Sequence, residues 1–230
     1  MILALETATT ACSAALCAAD GSVVAETVTY EGPAHTQRLL PGVHEVLERA
    51  GATWDDVDTV AVGLGPGAFT GLRIGVATAR ALAQADGRVR LAGVPSCTAL
   101  ALALADVSGG RAVAPLIDGK RREVFAAVYE PDPGPGGVRL LEEVAVVPAD
   151  ELAAWLERRG PLLVGGDGAA LYAELLPASA RRADAIVAPT AAMVGRAVAC
   201  GAPGLVTGPD AVLPLYGRRP DAARWQGRPL

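Results

Sequence analysis

Three acids stand where apolar runs end: Glu6 after Ile2-Leu3-Ala4-Leu5, Asp118 after the run from Val113, and Asp167 after the run from Leu162. In α/β proteins ligands gather at the C-terminal ends of strands, so such carboxylates are placed to line a cleft and hold Mg²⁺; they are equally placed to cap turns. The segment Gly63-Leu64-Gly65-Pro66-Gly67-Ala68 fits the loose pattern Gly-x-Gly-x-x-Ala between a strand and a helix. Backbone N–H groups and the helix dipole there suit an anion, with Gly65 and Gly67 nearest to it. Pro66 removes one donor and no acid follows a second strand, so the other reading is a tight turn that lets the helix pack on the sheet. Lys120-Arg121-Arg122 form the basic part of a hairpin turn, suited to a nucleotide phosphate or an RNA backbone, or to solvent alone.

Other chemistries are excluded by what is missing. Lys120 is the one lysine, so no Gly-Lys-Ser/Thr exists and a P-loop enzyme is ruled out. His35 and His44 do not share a helical face as a metal pair would, and position 39, one turn on from His35, is Leu39. No Gly-x-Ser-x-Gly occurs, and none of Cys12, Cys17, Cys97 and Cys200 forms a Cys-x-x-Cys pair.

The elements that must position these residues follow from periodicity. Strands are expected at 2–6, 13–18 and 22–30, with Asp20-Gly21 turning the hairpin and Gly32-Pro33 breaking the chain. An apolar stripe of Leu39, Leu40, Val43, Val46, Leu47 and Ala50 predicts a helix over 35–50, kinked unless it begins near Pro41. A strand over 57–64 leads through the Gly-Pro-Gly loop to a helix over 70–86 with Thr70 as N-cap, lined with small residues from Gly71 and Gly75 to Ala85. Strand 89–94, helix 96–106, hairpin 111–118/123–129, strand 138–147, helix 150–159, strand 162–164 and helices near 169–176 and 190–200 complete the chain. Each half thus begins with a strand hairpin and continues with helix–strand alternation, an α/β class with antiparallel pairing at its start. Two related lobes are suggested, without a sequence repeat strong enough to prove duplication.

At 51% hydrophobic and only 4% aromatic, the 230-residue chain must build its core from Ala, Val and Leu. A net charge of −5 argues against autonomous nucleic-acid binding. No apolar stretch is long enough to span a bilayer and the N-terminus lacks a basic start, so a cytoplasmic protein without a membrane partner is expected.

Several segments carry a resemblance. Ile2–Thr9, His35-Thr36-Gln37-Arg38-Leu39-Leu40-Pro41, Gly65–Gly75, the hairpin from Asp118 to Phe125 and Pro214-Leu215-Tyr216-Gly217-Arg218 resemble, in order and spacing, the motifs of the TsaB (YeaZ) family, with Ala68 where that family usually has Ser. The resemblance implies a two-lobed actin/sugar-kinase/Hsp70-like, ribonuclease H-like fold. The lobes would be 1–95 and a smaller 96–208, with 209–230 packing back on the first. It also implies a bacterial subunit needed to make N6-threonylcarbamoyladenosine in tRNA. In that family the catalytic relative TsaD carries a His-x-x-x-His metal motif that here reads His35 to Leu39, so one ligand is lost. TsaE joins as the ATPase, tRNA binds through the complex, and a homodimer in isolation is left open.

The expectation is therefore a non-catalytic scaffold that dimerises with TsaD. It would hold no cofactor itself while the complex uses ATP and Mg²⁺. His35, Leu39, Leu40, Val43, Leu47, Leu72, Ile74, Val76 and Arg80 are the candidate partner contacts. Glu6, Gly65, Gly67, Asp118, Lys120, Arg121 and Arg122 are the candidate nucleotide or RNA contacts. The competing readings are an ATP-dependent phosphotransferase using Glu6 and Asp118 around Mg²⁺, and a metallopeptidase.

Overall fold

The computed structural model describes residues 1–30 and 35–217. The expected break at Gly32-Pro33, and Arg218 at the end of the Pro-x-Tyr-x-Arg segment, lie outside them. The first half runs β1 (Ile2–Glu6), β2 (Cys12–Cys17), β3 (Val23–Thr29), α1 (His35–Arg49), β4 (Thr59–Gly63), α2 (Phe69–Ala85), β5 (Arg90–Val94) and α3 (Ser96–Val107). The second half repeats the series with β6 (Val113–Asp118), β7 (Glu123–Pro131), β8 (Val138–Pro148), α4 (Leu152–Glu157), β9 (Leu162–Gly165), α5 (Asp167–Leu171), β10 (Ala180–Arg182) and α6 (Ala191–Ala199). A last short strand, β11 (Val206–Thr207), follows.

The two sheets have the same topology. Spatial order is β3-β2-β1-β4-β5 in one and β8-β7-β6-β9-β10 in the other, with β11 added beside β5. In each, three antiparallel strands are followed by two parallel ones. The duplication left unproved by residue identity is explicit in the strand order, and the fold is the expected two-lobed α/β arrangement.

Alternation along the strands builds the layers. Leu3 and Leu5 of β1 face α1 and α2, while Ile2 and Ala4 face α3 and α6. In β6, Ala114 and Leu116 face α4 and α5, and Val113 and Ile117 face the same central pair of helices. The result is helices, sheet, helices, sheet, helices. The middle layer is crossed: α3 leaves the first sheet to pack on the second, and α6 leaves the second to pack on the first. Ser13 Oγ and Glu26 Oε1, both from the first sheet, accept the N–H groups of Ala191 and Ala192 at 2.8 and 2.9 Å and cap α6 there. Residues 191–207, expected in the second lobe, therefore lie against the first sheet. The interdigitating elements are small-residue helices, which is how a chain this poor in aromatics fills a five-layer core.

One expectation about a helix end is corrected. α2 starts at Phe69, with Ala68 and not Thr70 in the N-cap position, and no side chain caps it. The Ala68 N–H instead donates to the Ala8 carbonyl at 2.6 Å. Helix α1 spans His35–Arg49, as expected, and runs through Pro41. The exposed proline interrupts one backbone hydrogen bond on the solvent side. Among the described residues no helix is long and apolar enough to cross a membrane.

The glycines of α2 face inward. A Cβ at Gly71 would sit 2.1 Å from the Thr7 carbonyl oxygen, and one at Gly75 would sit 2.3 Å from Thr7 Oγ1. Replacing a mid-helix Gly by Ala ordinarily stabilises by about 1 kcal/mol. Here Gly71→Ala is expected to destabilise by roughly 1–3 kcal/mol, because the backbone of residues 7–8 must move. Urea denaturation reads this directly; a neutral or stabilised variant would contradict the packing.

Candidate functional site: the cleft between the lobes

The duplication brings equivalent turns face to face. The β1–β2 turn, with Ala8, Thr9 and Thr10, meets the β6–β7 turn, with Asp118 and Lys120, across a cleft of about 250 Å³. Ala68, Thr70, Gly71 and Ile74 at the start of α2, His35 at the start of α1, and Asp167 at the start of α5 complete its walls. A larger cavity of about 980 Å³ opens at the opposite end of the first sheet, by Asp58, Thr59 and Arg90. Its polar groups are largely engaged locally, the Met1 amine with Asp58 and Arg80 with the Val212 carbonyl, so the chemistry-bearing residues belong to the smaller cleft.

Glu6 ends β1 but does not reach this cleft. It is wholly buried. Its Oε1 accepts the N–H groups of Thr7 and Ala8, each at 2.7 Å, and Oε2 accepts the Ser96 hydroxyl at 2.7 Å. Burial drives its pKa up, against the lowering effect of these three donors. The expectation that Glu6 touches a nucleotide or RNA is corrected: it locks a loop. A Cβ at Gly63 would lie 2.0 Å from Glu6 Oε2, so the adjacent strand closes over the carboxylate.

The glycine-rich loop is likewise a packing device. Leu64 N–H donates to the Val94 carbonyl at 2.9 Å, Gly65 N–H to Ser96 Oγ at 3.1 Å and Ala68 N–H to Ala8 O. The Gly65–Pro66 peptide is cis and Gly65 has φ +95°. A Cβ at Gly67 would lie 2.1 Å from the Ala8 carbonyl oxygen. Gly65 is buried, and the N–H groups of Leu64, Gly65 and Ala68 are directed into the protein rather than to an anion. The tight-turn reading of Gly65 and Gly67 is the one the geometry supports.

Asp118, Lys120 and Asp167 do come together. Asp167 Oδ1 accepts the Asp118 N–H at 3.0 Å, Asp118 Oδ1 accepts the Lys120 N–H at 2.8 Å, and Lys120 Nζ pairs with Asp118 Oδ2 at 2.7 Å. Burial raises Asp167 to about 6, with the neighbouring Asp118 charge adding to the shift. Lys120, Arg121 and Arg122 all adopt left-handed backbone conformations, with φ of 59°, 53° and 59°. Such residues cost roughly 1–2 kcal/mol each. The turn is held by Gly119 N–H to Glu123 O at 2.8 Å and Glu123 N–H to Lys120 O at 3.0 Å. All three basic side chains are exposed.

The candidate partner contacts divide. Leu39, Val43, Leu72 and Val76 lie inside the chain's own core against the first sheet and are not available to a partner. His35 is buried, its Nε2 3.0 Å from the Thr9 carbonyl oxygen to which it donates. Arg80 holds the returning segment 208–217 through the carbonyls of Pro209 and Val212. Leu47 and Ile74 are half-buried, and Leu40 is exposed. The apolar stripe of α1 therefore covers its own sheet, and the outward face carries Leu40, Pro41 and His44 beside Ala77 and Ala81 of α2.

Sequence reasoning passed over Thr9, Thr10 and Thr70 as cleft residues, and Asp167 as the partner of Asp118. It also passed over an exposed cluster of Phe69, Arg73 and Tyr216 beside the cleft. The signal for the last was present, since aromatic residues are scarce in this chain.

The family model of TsaD, tRNA N6-adenosine threonylcarbamoyltransferase, matches residues 22–135. An uncharacterized protein of Mycobacterium tuberculosis is 37% identical over 96% of this chain and 93% of its own length. The tRNA threonylcarbamoyladenosine biosynthesis protein TsaB of Bacillus subtilis is 31% identical over 76% of this chain and 74% of its own length. Among solved structures, YeaZ from Pseudomonas aeruginosa superposes with a TM-score of 0.76 at 32% identity, covering 94% of this chain and 98% of that one.

Asp167 has a folded pKa above its unfolded one, so the cost of its burial is absent at low pH, grows as pH rises through the range from about 4 to 6, and is fully present above that. Asp167→Asn keeps the acceptor for the Asp118 N–H and removes the charge. The stability gained by the variant over wild type is expected to grow between pH 4 and pH 7, reaching about 2–3 kcal/mol. Chemical denaturation across that range checks it; a pH-independent difference would contradict the assigned environment.

Proposed function

The chain belongs to the TsaB (YeaZ) family, and from that premise we propose that it serves the formation of N6-threonylcarbamoyladenosine in tRNA as a non-catalytic subunit that docks on a TsaD-type catalytic protein. The observation that carries the reading is the fate of the chain's catalytic-looking residues. Glu6 is sealed in a loop, Leu39 stands in the core one turn beyond His35, and His35 is bonded to a carbonyl. Among the described residues no three His, Cys, Asp or Glu side chains are grouped to hold a metal. Neither the phosphotransferase nor the metallopeptidase reading gains support from this arrangement. In the proposed assembly, ATP and Mg²⁺ are used by the complex, with TsaE as the ATPase, and tRNA binds through the complex.

The docking face proposed here is the outward side of α1 and α2. These helices are neighbours, and their solvent side joins Leu40, which is 52% exposed, with Pro41, Ala77 and Ala81. Small residues let a facing helix approach closely, and Leu40 supplies apolar area worth about 25 cal/mol per Å² covered. This replaces the buried positions Val43, Leu72 and Val76 as contacts.

Ala77→Arg and Leu40→Glu are expected to weaken binding to a TsaD-type subunit at least tenfold, about 1.4 kcal/mol, while leaving thermal stability within a few degrees of wild type. Val76→Arg would instead unfold the chain, because that side chain is in the core. Titration calorimetry with the purified subunits measures the first effect. Wild-type affinity in both surface variants would remove this face from the complex.

A further inference from the structure

The chain has nine aromatic residues in 230, and it places two of them together on the surface. Phe125, the other phenylalanine, is buried, whereas Phe69 is 49% exposed and Tyr216 41% exposed. Their ring centroids are 5.1 Å apart at a tilt of 33°. The Arg73 guanidinium lies 4.0 Å from the Phe69 centroid, and its Nε donates to the Tyr216 hydroxyl at 3.1 Å. The rings are thus fixed in place by each other and by a cation, while half of their surface stays open to water. The segment that carries Tyr216 is itself anchored: Leu215 N–H donates to the Leu64 carbonyl at 2.7 Å, and Gly217 packs on the Phe125 ring in β7.

This platform stands at the mouth of the inter-lobe cleft. Ala68 and Thr70, which flank Phe69, line the cleft with Lys120 of the β6–β7 turn. The exposed Arg121 and Arg122 follow Lys120 on that turn. The nearby acids are drawn inward: Asp118 is nearly buried and paired with Lys120, and Asp167 bonds the backbone behind it. The cleft's mouth thus carries Phe69, Tyr216 and Arg73 on the first lobe and the basic turn on the second, although the whole chain carries a net charge of −5. Open π-faces next to cations are what unpaired bases and their phosphates require, and the arrangement extends across two lobes, as an extended strand would.

We propose that Phe69, Tyr216 and Arg73, with Arg122 of the hairpin turn, form a contact for single-stranded RNA. Under the proposed function, on which this identification rests, that RNA is the unpaired loop of the tRNA that the complex modifies.

The test is fluorescence anisotropy with a labelled 17-nucleotide anticodon stem–loop RNA, titrated with the assembled complex and with the isolated chain, and with a blunt RNA duplex as control. Phe69→Ala combined with Tyr216→Ala is expected to weaken stem–loop binding about tenfold or more, with little change for the duplex. Phe69→Leu, which keeps the apolar volume and loses the π-face, is expected to weaken it in the same direction, and Tyr216→Phe to bind like wild type. Arg122→Glu is expected to lower the slope of log affinity against log salt by about 0.7 or more. Assembly with the TsaD-type subunit is followed separately by size exclusion. Wild-type RNA affinity in the double variant overturns the proposal, and if assembly is lost at the same time the platform is a protein contact. Absence of stem–loop binding by wild-type complex and isolated chain also overturns it. Failure of the wild-type chain to assemble at all contradicts the proposed function and leaves the isolated-chain titration to decide the RNA contact.

Discussion

The rest of the structure depends on three residues held under four glycines. Glu6, Thr7 and Ala8 leave the first strand as a short loop whose amides bond back to the Glu6 carboxylate. Gly63, Gly67, Gly71 and Gly75 each approach that loop more closely than any Cβ would permit. The Thr7 hydroxyl donates to the Gly71 carbonyl at 2.8 Å, and Ser96 bridges the carboxylate to the Gly65 amide. One loop thus joins β1, β4, α2 and α3. Burying a carboxylate is unfavourable unless its oxygens are bonded, and here three donors converge on it. This chain uses the acid to fasten its own architecture.

That fastening has consequences for function. With the glycine-rich loop closed on itself, the cleft keeps only the second lobe's charged groups, Asp118, Lys120 and Asp167, and these pair mainly with one another. The crossed helices α3 and α6 tie the lobes into one continuous core, which suits a rigid presenting surface. The surfaces proposed above for partners are on the outside: the α1–α2 face, and the aromatic and arginine residues at the cleft's mouth.

Much of the fold was legible because strand and helix periodicities differ and turn residues are explicit, as in Asp20-Gly21, where the Ser22 N–H donates to Asp20 Oδ1 at 2.9 Å. The short strands β10 and β11 escaped because Ala180-Arg181-Arg182 and Val206-Thr207 carry no alternation; pairing to a neighbour alone makes them strands. The duplication escaped because it resides in strand order and not in residue identity. The site was harder to read. A stripe such as Leu39, Val43 and Val46 shows which side of a helix is apolar, but periodicity does not say whether that side covers the chain's own sheet or a partner. The sheet claimed it. Likewise Glu6 at a strand end signals a polar role, and only the geometry of Thr7, Ala8 and Ser96 shows that the role is internal.

A subunit that contributes surface rather than chemistry, through the outward side of two adjoining helices, should be protected there when its partner binds. Hydrogen–deuterium exchange of the chain with and without a TsaD-type subunit measures this. Added protection is expected to concentrate in residues 35–49 and 69–85, with the second sheet's β8–α4 region unchanged. Protection confined to the second lobe, or none at saturating partner, would contradict it.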